Sequence, residues 1–214
     1  VMLTGGQMTQ AVVVESDGAM EKDPGIHPPA PITTKEELAN AARAAGLVGL
    51  GGAGFPAHVK LNVPEGKQID TLLVNVAECE PYVTSDHREA LENGHNVLEG
   101  VYKVKEILGV QRVIIAVEDN KPEAVEALKA EAGDDPLIEI RVLPTRYPQG
   151  AKKQLILAVT GKEVAPGARS GALFNVTTTA NVYRAVTQGQ PLLEKIVTAM
   201  DEIYAQAEQL HDTD

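Results

Sequence analysis

Between residues 71 and 143 the chain alternates short, nearly unbroken apolar runs with longer stretches of helical spacing. TLLVNV (71–76), RVIIAVE (112–118) and LIEIRVL (137–143) are rich in β-branched residues, which pack well on a pleated surface and predict strands. NVLEGVYKVKEIL (96–108) and PEAVEALKAEA (122–132) repeat apolar residues three and four apart and predict helices, the second with Asn120 as its N-cap. The alternation continues through a helix at AKKQLILAV (151–159), an extended ALFNV (172–176) and a helix at TANVYRAVTQG (179–189). From 191 onward PLLEKIVTAMDEIYAQAEQL has helical spacing and predicts a terminal helix. Strands alternating with helices predict an α/β fold, a mainly parallel sheet flanked by helices, with ligands bound beyond the carboxyl ends of the strands.

The start of the chain reads differently. A β-like AVVVE (11–15) is followed by Pro24, Pro28, Pro29 and Pro31, too many prolines for a helix or a central strand, so an extended linker is expected. Thr34 and Glu37 then form a capping box before EELANAARAAG, a helix stopped by Gly46. Three segments follow: a strand and Pro-rich linker over 1–33, an α/β domain over 34–190, and a C-terminal helix and tail over 191–214.

Composition narrows the function. The 214 residues, 43% of them hydrophobic, suffice for one sizeable core. A formal charge of −11 argues against nucleic acid or an anionic membrane surface as partner. Cys79 is the only cysteine, which rules out an internal disulfide and a cysteine-ligated iron–sulfur cluster within these residues. Apolar runs such as VIIAV (113–117) and LILAV (155–159) are far too short to span a bilayer, and Gly5, Gly6 and Gln7 interrupt the start before a secretory signal forms. A cytoplasmic protein without direct membrane insertion is expected.

Four polar loops carry the candidate chemistry. Gly49-Leu50-Gly51-Gly52-Ala53-Gly54, inside GLVGLGGAGFPAHVKL (46–61), is formally G-x-G-x-x-G, but a dinucleotide fingerprint needs a strand before it and here a helix precedes. Its glycines let a backbone bring N–H groups up to a phosphate or a flat ring, Lys60 places a cation nearby, and a turn kept only for close packing would look the same. In NVAECEPYVTSDHR (75–88), Asn75 offers donor and acceptor to a heterocycle edge, and Glu78 and Glu80 stand at a strand end, where solvated surface is the commoner role. A metal set of Glu78, Cys79, Asp86 and His87 matches no zinc spacing. TRYPQGAKKQL (145–155) sets Tyr147 and Gly150 at a strand-to-helix junction, and FNVTTT (174–179) sets Asn175 and three threonines at another, where such residues serve equally as caps. Together the loops make a nucleotide-sized site at one end of the sheet.

GLGGAGFPAHVKL, NVAECEP, YPQGAKKQL and FNVTTTANVYRAV, in that order, resemble the flavin-binding domain shared by the C subunit of Rnf electron-transport complexes and the NADH-oxidising subunit of respiratory complex I. GIHPPAP, ECEPYVTSDHR and YPQGAKKQL are closer to the Rnf branch and its relatives, the cobalamin reductases of microcompartments; the resemblance runs from about Gly25 to Leu193. It implies FMN held by a cradle of Gly49, Gly51, Gly52 and Gly54, with Lys60 near the phosphate or ribityl chain. It further implies Asn75 and Glu78 edging the flavin ring, Tyr147 and Gly150 flanking it, and Asn175 with Thr177 approaching the phosphate. Phe55 and Glu80 match residues that meet NADH, the hydride donor; no catalytic side chain and no metal ligand is implied. The complex I form differs: Arg where Leu50 stands, Asp at Ala77, and two Glu at Ala151 and Lys152.

Rnf relatives continue into a β domain and a Cys-rich ferredoxin-type domain. The implied electrons therefore pass to iron–sulfur carriers outside this sequence, in other subunits or domains of an Rnf-like complex docked at the inner face of the cell membrane. Three other readings compete with this: a cofactor-free scaffold that docks partner subunits, a cobalamin-reductase-like relative, and an ordinary NAD-dependent dehydrogenase.

Overall fold

The computed structural model describes residues 23–64, 66–165 and 172–198, with scattered positions among the first 22. The strand expected over 11–15 and the part of the terminal helix beyond 198 lie largely or wholly outside the described residues. In chain order the elements are α1 (Lys35–Ala44), α2 (Ala57–Leu61), β1 (Thr71–Val76), α3 (Ser85–Glu92), α4 (Gly94–Leu108) and β2 (Arg112–Glu118). There follow α5 (Pro122–Ala132), β3 (Ile138–Leu143), α6 (Lys152–Thr160), β4 (Ala172–Asn175) and α7 (Val176–Gln188).

The four strands form one sheet in the order β3-β2-β1-β4, and every pairing is parallel. Alternation along each strand feeds two cores. Leu72, Val74 and Val76 of β1 and Val113, Ile115 and Val117 of β2 join the larger core with apolar residues of α1, α4, α5 and α7. Leu73, Ile114 and Ala116 point the other way, onto Leu155 and Val159 of α6. Burial on both faces is why these strands read as continuous apolar runs rather than as alternating ones.

The helix positions follow from handedness. From β1 to β2 to β3 the chain steps one way across the sheet, and the helices of those crossovers pack on one face. The β3-to-β4 connection returns past β1, so a right-handed crossover must put α6 on the opposite face, where it is found. The reversal opens a crevice between the carboxyl ends of β1 and β4, the usual ligand position in such sheets.

Local signals at the helix ends are partly as expected. Thr34 and Glu37 form the capping box of α1, and Gly46 takes a positive φ of 67° just after it. At α5 the N-cap is Lys121, without a side-chain cap bond, and not Asn120; the Asn120 side-chain oxygen instead accepts from Lys121 Nζ at 3.0 Å. Helix α7 starts at Val176, three residues before the expected 179, because the Asn175 side chain caps it. The short α2 and α3 were not expected. Residues 23–33 carry no helix or strand, as their prolines require.

Residues 191–198, the described part of the expected terminal helix, are not helical. They form a strap: the Leu192 amide donates to Ala45 O at 2.9 Å, and the Thr84 amide donates to Thr198 Oγ1 at 3.0 Å. Their conformation is set by these bonds to the end of α1 and to the start of α3, which outweigh helical spacing.

Candidate functional site

The glycine-rich stretch is a loop between α1 and α2, so no strand precedes it. Its base is closed by a bridge between Val48 and Pro56, by the Gly49 amide donating to Phe55 O at 2.7 Å, and by the Ala57 amide donating to Leu47 O at 2.9 Å. The Leu50 amide donates to Thr178 Oγ1 at 2.9 Å, which ties the loop to the first turn of α7. Gly52 and Gly54 have φ of +107° and +60°, values that L side chains resist. The amides of Gly51, Gly52, Ala53 and Gly54 have no partner among the described residues.

Beneath the loop, at the switch between β1 and β4, lies a cleft of about 310 Å³. Leu50, Gly51 and Gly52 form one wall, Asn75, Ala77 and Glu78 the end of β1, Gly150 another wall, and Asn175 the start of α7. Glu80, Ser85, Asp86 and Lys195 complete it.

Asn175 is committed on both sides of its amide. Its Oδ1 accepts from the Thr177 amide at 3.0 Å and the Thr178 amide at 3.4 Å, and its Nδ2 donates to Asp86 Oδ2 at 2.6 Å. Thr177 is buried, and its hydroxyl donates to Asp86 Oδ1 at 3.3 Å. Asn75 Nδ2 donates to Gly150 O at 2.9 Å, and its Oδ1 accepts from the Ala77 amide at 3.0 Å, so it braces the cleft wall. Gly150 is required by closeness: a Cβ there would come within 2.2 Å of Ala77 O.

The two carboxylates differ in role. Glu78 is buried and accepts from Ser85 Oγ at 3.1 Å, the Asp86 amide at 2.8 Å and the His87 amide at 3.2 Å, so it caps α3 from outside the helix. Asp86 is held by Asn175 and Thr177; burial, then the neighbouring Glu78, push its carboxyl up to about 7. Glu80 is exposed at the rim. Cys79 accepts the Gly150 amide at 3.4 Å, and burial pushes its thiol up, away from thiolate chemistry.

Lys60 lies behind the loop, not on the cleft wall. Its Nζ donates to Leu173 O at 3.3 Å, sits 5.5 Å from the Phe174 ring centroid, and is pushed below the usual lysine range by burial and then by Lys152. Gly49 and Gly54 shape the loop without lining the cleft. Tyr147 (75% exposed) and Phe55 (46% exposed) present their rings to solvent. Sequence reasoning weighed Asp86 only within a metal set and passed over Lys195, and nothing in their spacing marks them as cleft residues: Asp86 meets Asn175 only because α3 packs beside α7. A second cleft, of about 400 Å³, lies behind the loop after β1; in its wall the buried Lys121 donates to Glu118 Oε2 at 3.2 Å and to Glu78 O at 3.1 Å.

The donor set fits FMN. Unpartnered loop amides and a capped helix start converge on one crevice, and only glycine is accommodated where the wall approaches Ala77.

Comparison with known proteins agrees with this geometry. The family model described as the Nuo51 FMN-binding domain matches residues 42–184. The C subunit of the proton-translocating ferredoxin:NAD(+) oxidoreductase complex of Clostridium ljungdahlii is 44% identical over 197 residues, covering 88% of this chain and 42% of that protein. Its counterpart in the Na(+)-translocating ferredoxin:NAD(+) oxidoreductase complex of Acetobacterium woodii is 42% identical over 202 residues, covering 90% and 45%. The chain thus spans less than half the length of these curated relatives. The NAD+-reducing [NiFe]-hydrogenase in its H2-reduced state shares the fold, with a TM-score of 0.60 at 22% identity over 71% of this chain and 30% of that one. The match to the family model spans most of the α/β domain and all four loops, and the chain belongs to the Nuo51 FMN-binding domain family.

Proposed function

We propose that this chain is the FMN-binding, electron-input module of an Rnf-type complex, exchanging electrons between NADH and iron–sulfur carriers outside these residues. The observation that carries the reading is the pair of unpartnered amides at Gly51 and Gly52, which line the switch-point cleft together with Asn175 at the start of α7. When bound, FMN supplies two-electron exchange with NADH and one-electron exchange with the carriers; the protein supplies position and electrostatics.

In this reading the loop amides and the α7 start hold the phosphate. Lys60 and Lys152 set a positive field behind the loop, and Asn75 and Gly150 fix the wall against which the ring lies. Phe55 and Glu80, both exposed, meet the nicotinamide nucleotide in this reading, and Tyr147 flanks the flavin ring with Gly150. In this reading attachment at the cell membrane runs through partner subunits; no helix among the described residues is long and apolar enough to cross a membrane.

A second reading, a cofactor-free scaffold, draws on the engagement of Asn175 and Thr177 by Asp86, which leaves fewer donors for a ligand. One preparation separates the two. The purified chain is mixed with FMN, desalted, and treated with NADH: retained flavin absorbance that NADH bleaches supports the module, and colourless protein supports the scaffold.

A further inference from the structure

The donors that the cleft offers at the start of α7 converge on one carboxylate. Asn175 Nδ2 and Thr177 Oγ1 donate to the two oxygens of Asp86, at 2.6 and 3.3 Å. The backbone of Asp86 is fixed in the first turn of α3, where its own amide donates to Glu78 Oε1 at 2.8 Å. The charged groups facing it are Glu78, from the loop after β1, and Lys195, from the strap after α7. Helix α7 and strand β4 add only the neutral Asn175 and Thr177, and the glycine loop adds Leu50, Gly51 and Gly52. Of the two charges, Glu78 is buried and adds repulsion, while Lys195 is exposed and screened by water.

A phosphate arriving at this helix start would meet a carboxylate that both repels it and occupies its donors. A neutral carboxyl removes both obstacles. Its O–H becomes one more donor, and Asn175 Nδ2 and the Thr177 hydroxyl can turn to the phosphate oxygens. Burial beside Glu78 already favours the neutral form.

We propose that Asp86 is a positioning residue that couples ligand binding to a proton: a phosphorylated ligand settles at the start of α7 only with Asp86 protonated, taking one proton from solvent per ligand bound. This rests on the FMN reading of the cleft.

The test is the affinity for FMN, read by quenching of flavin fluorescence, from about pH 7.5 to about pH 8.5, above the second ionisation of a phosphate monoester near 6. The expected result is a Kd that weakens by about tenfold per pH unit. Calorimetry in two buffers of different ionisation enthalpy at about pH 8 should give uptake of about one proton per FMN. Asp86→Asn should flatten the profile and bind more tightly than wild type at the upper end. A flat wild-type profile without proton uptake overturns the proposal, as does a pH dependence that persists unchanged in Asp86→Asn, which would lie with Lys60. If the variant does not fold, the wild-type profile and proton count still decide. Flat but measurable binding sinks this inference alone; absence of FMN binding at every pH sinks the functional reading with it.

Discussion

A single methyl group at Gly150 has no room: its carbon would press on the Ala77 carbonyl at 2.2 Å, backbone against backbone. Gly150→Ala should therefore push the loop before α6 off the end of β1, costing on the order of 1–3 kcal/mol in urea unfolding. Asp86 carries a different signature. Its carboxyl is raised to about 7 in the fold, against an unfolded value of about 3.9. As pH rises from about 4 the unfolded chain loses this proton while the folded chain keeps it, so stability falls until about 7 and then levels off. Each pKa unit corresponds to about 1.4 kcal/mol. Asp86→Asn is expected to gain stability relative to wild type across that window, measured by urea unfolding at about pH 4.5 and about pH 8; an unchanged difference between the two would contradict the assigned burial. Lys121 is the converse case, a buried cation whose loss strands the fully buried Glu118, and Lys121→Met should cost about 3–5 kcal/mol. The Gly150 and Asp86 burdens could not be read from spacing, since each arises where loops distant in sequence meet at the end of the sheet; Lys121 and Glu118 are only three residues apart, and what spacing does not show is their burial.

At the scale of elements, the parallel strands were legible because double-sided burial leaves an apolar run, and TLLVNV and RVIIAVE coincide with β1 and β2. Helix α3 was not expected, although Thr84, Ser85 and Asp86 offer an ordinary helix start; the bonds that satisfy that start come instead from Glu78, seven residues before Ser85. The early start of α7 has the same kind of cause, with Asn175 acting as strand end, cap and cleft wall together. The packing of α4 on α7 depends on Gly100, where a Cβ would lie 2.1 Å from Thr179 O. Gly100→Ala is expected to force the two helices apart and to lower the midpoint of thermal unfolding. Because α7 carries Thr177, is capped by Asn175 and anchors the glycine loop through Thr178, the same change should weaken FMN binding.

Over the whole molecule, one reversal of strand order decides where the chemistry sits. It places α6 on the sparsely covered face, brings Gly150 to the end of β1, and gathers four loops that are separate in sequence around one cleft. The four loops were legible as a set, and so was their common end of the sheet. Their internal bonding was not: Lys60 turns to the β4 carbonyl, Glu78 to the start of α3, and the strap over 191–198 brings in Lys195. In the proposed function this cleft holds FMN. The most direct measurement is a stoichiometric fluorescence titration of FMN with the wild-type chain and with Gly51→Val, whose added carbons would enter the cleft beside Asn175, 3.4 Å from a Cβ at this position. One FMN per wild-type chain should bind saturably, and the variant should bind at least about tenfold more weakly, a loss of about 1.4 kcal/mol. Unquenched FMN with the wild-type chain, or equal binding by both, would contradict the proposed function.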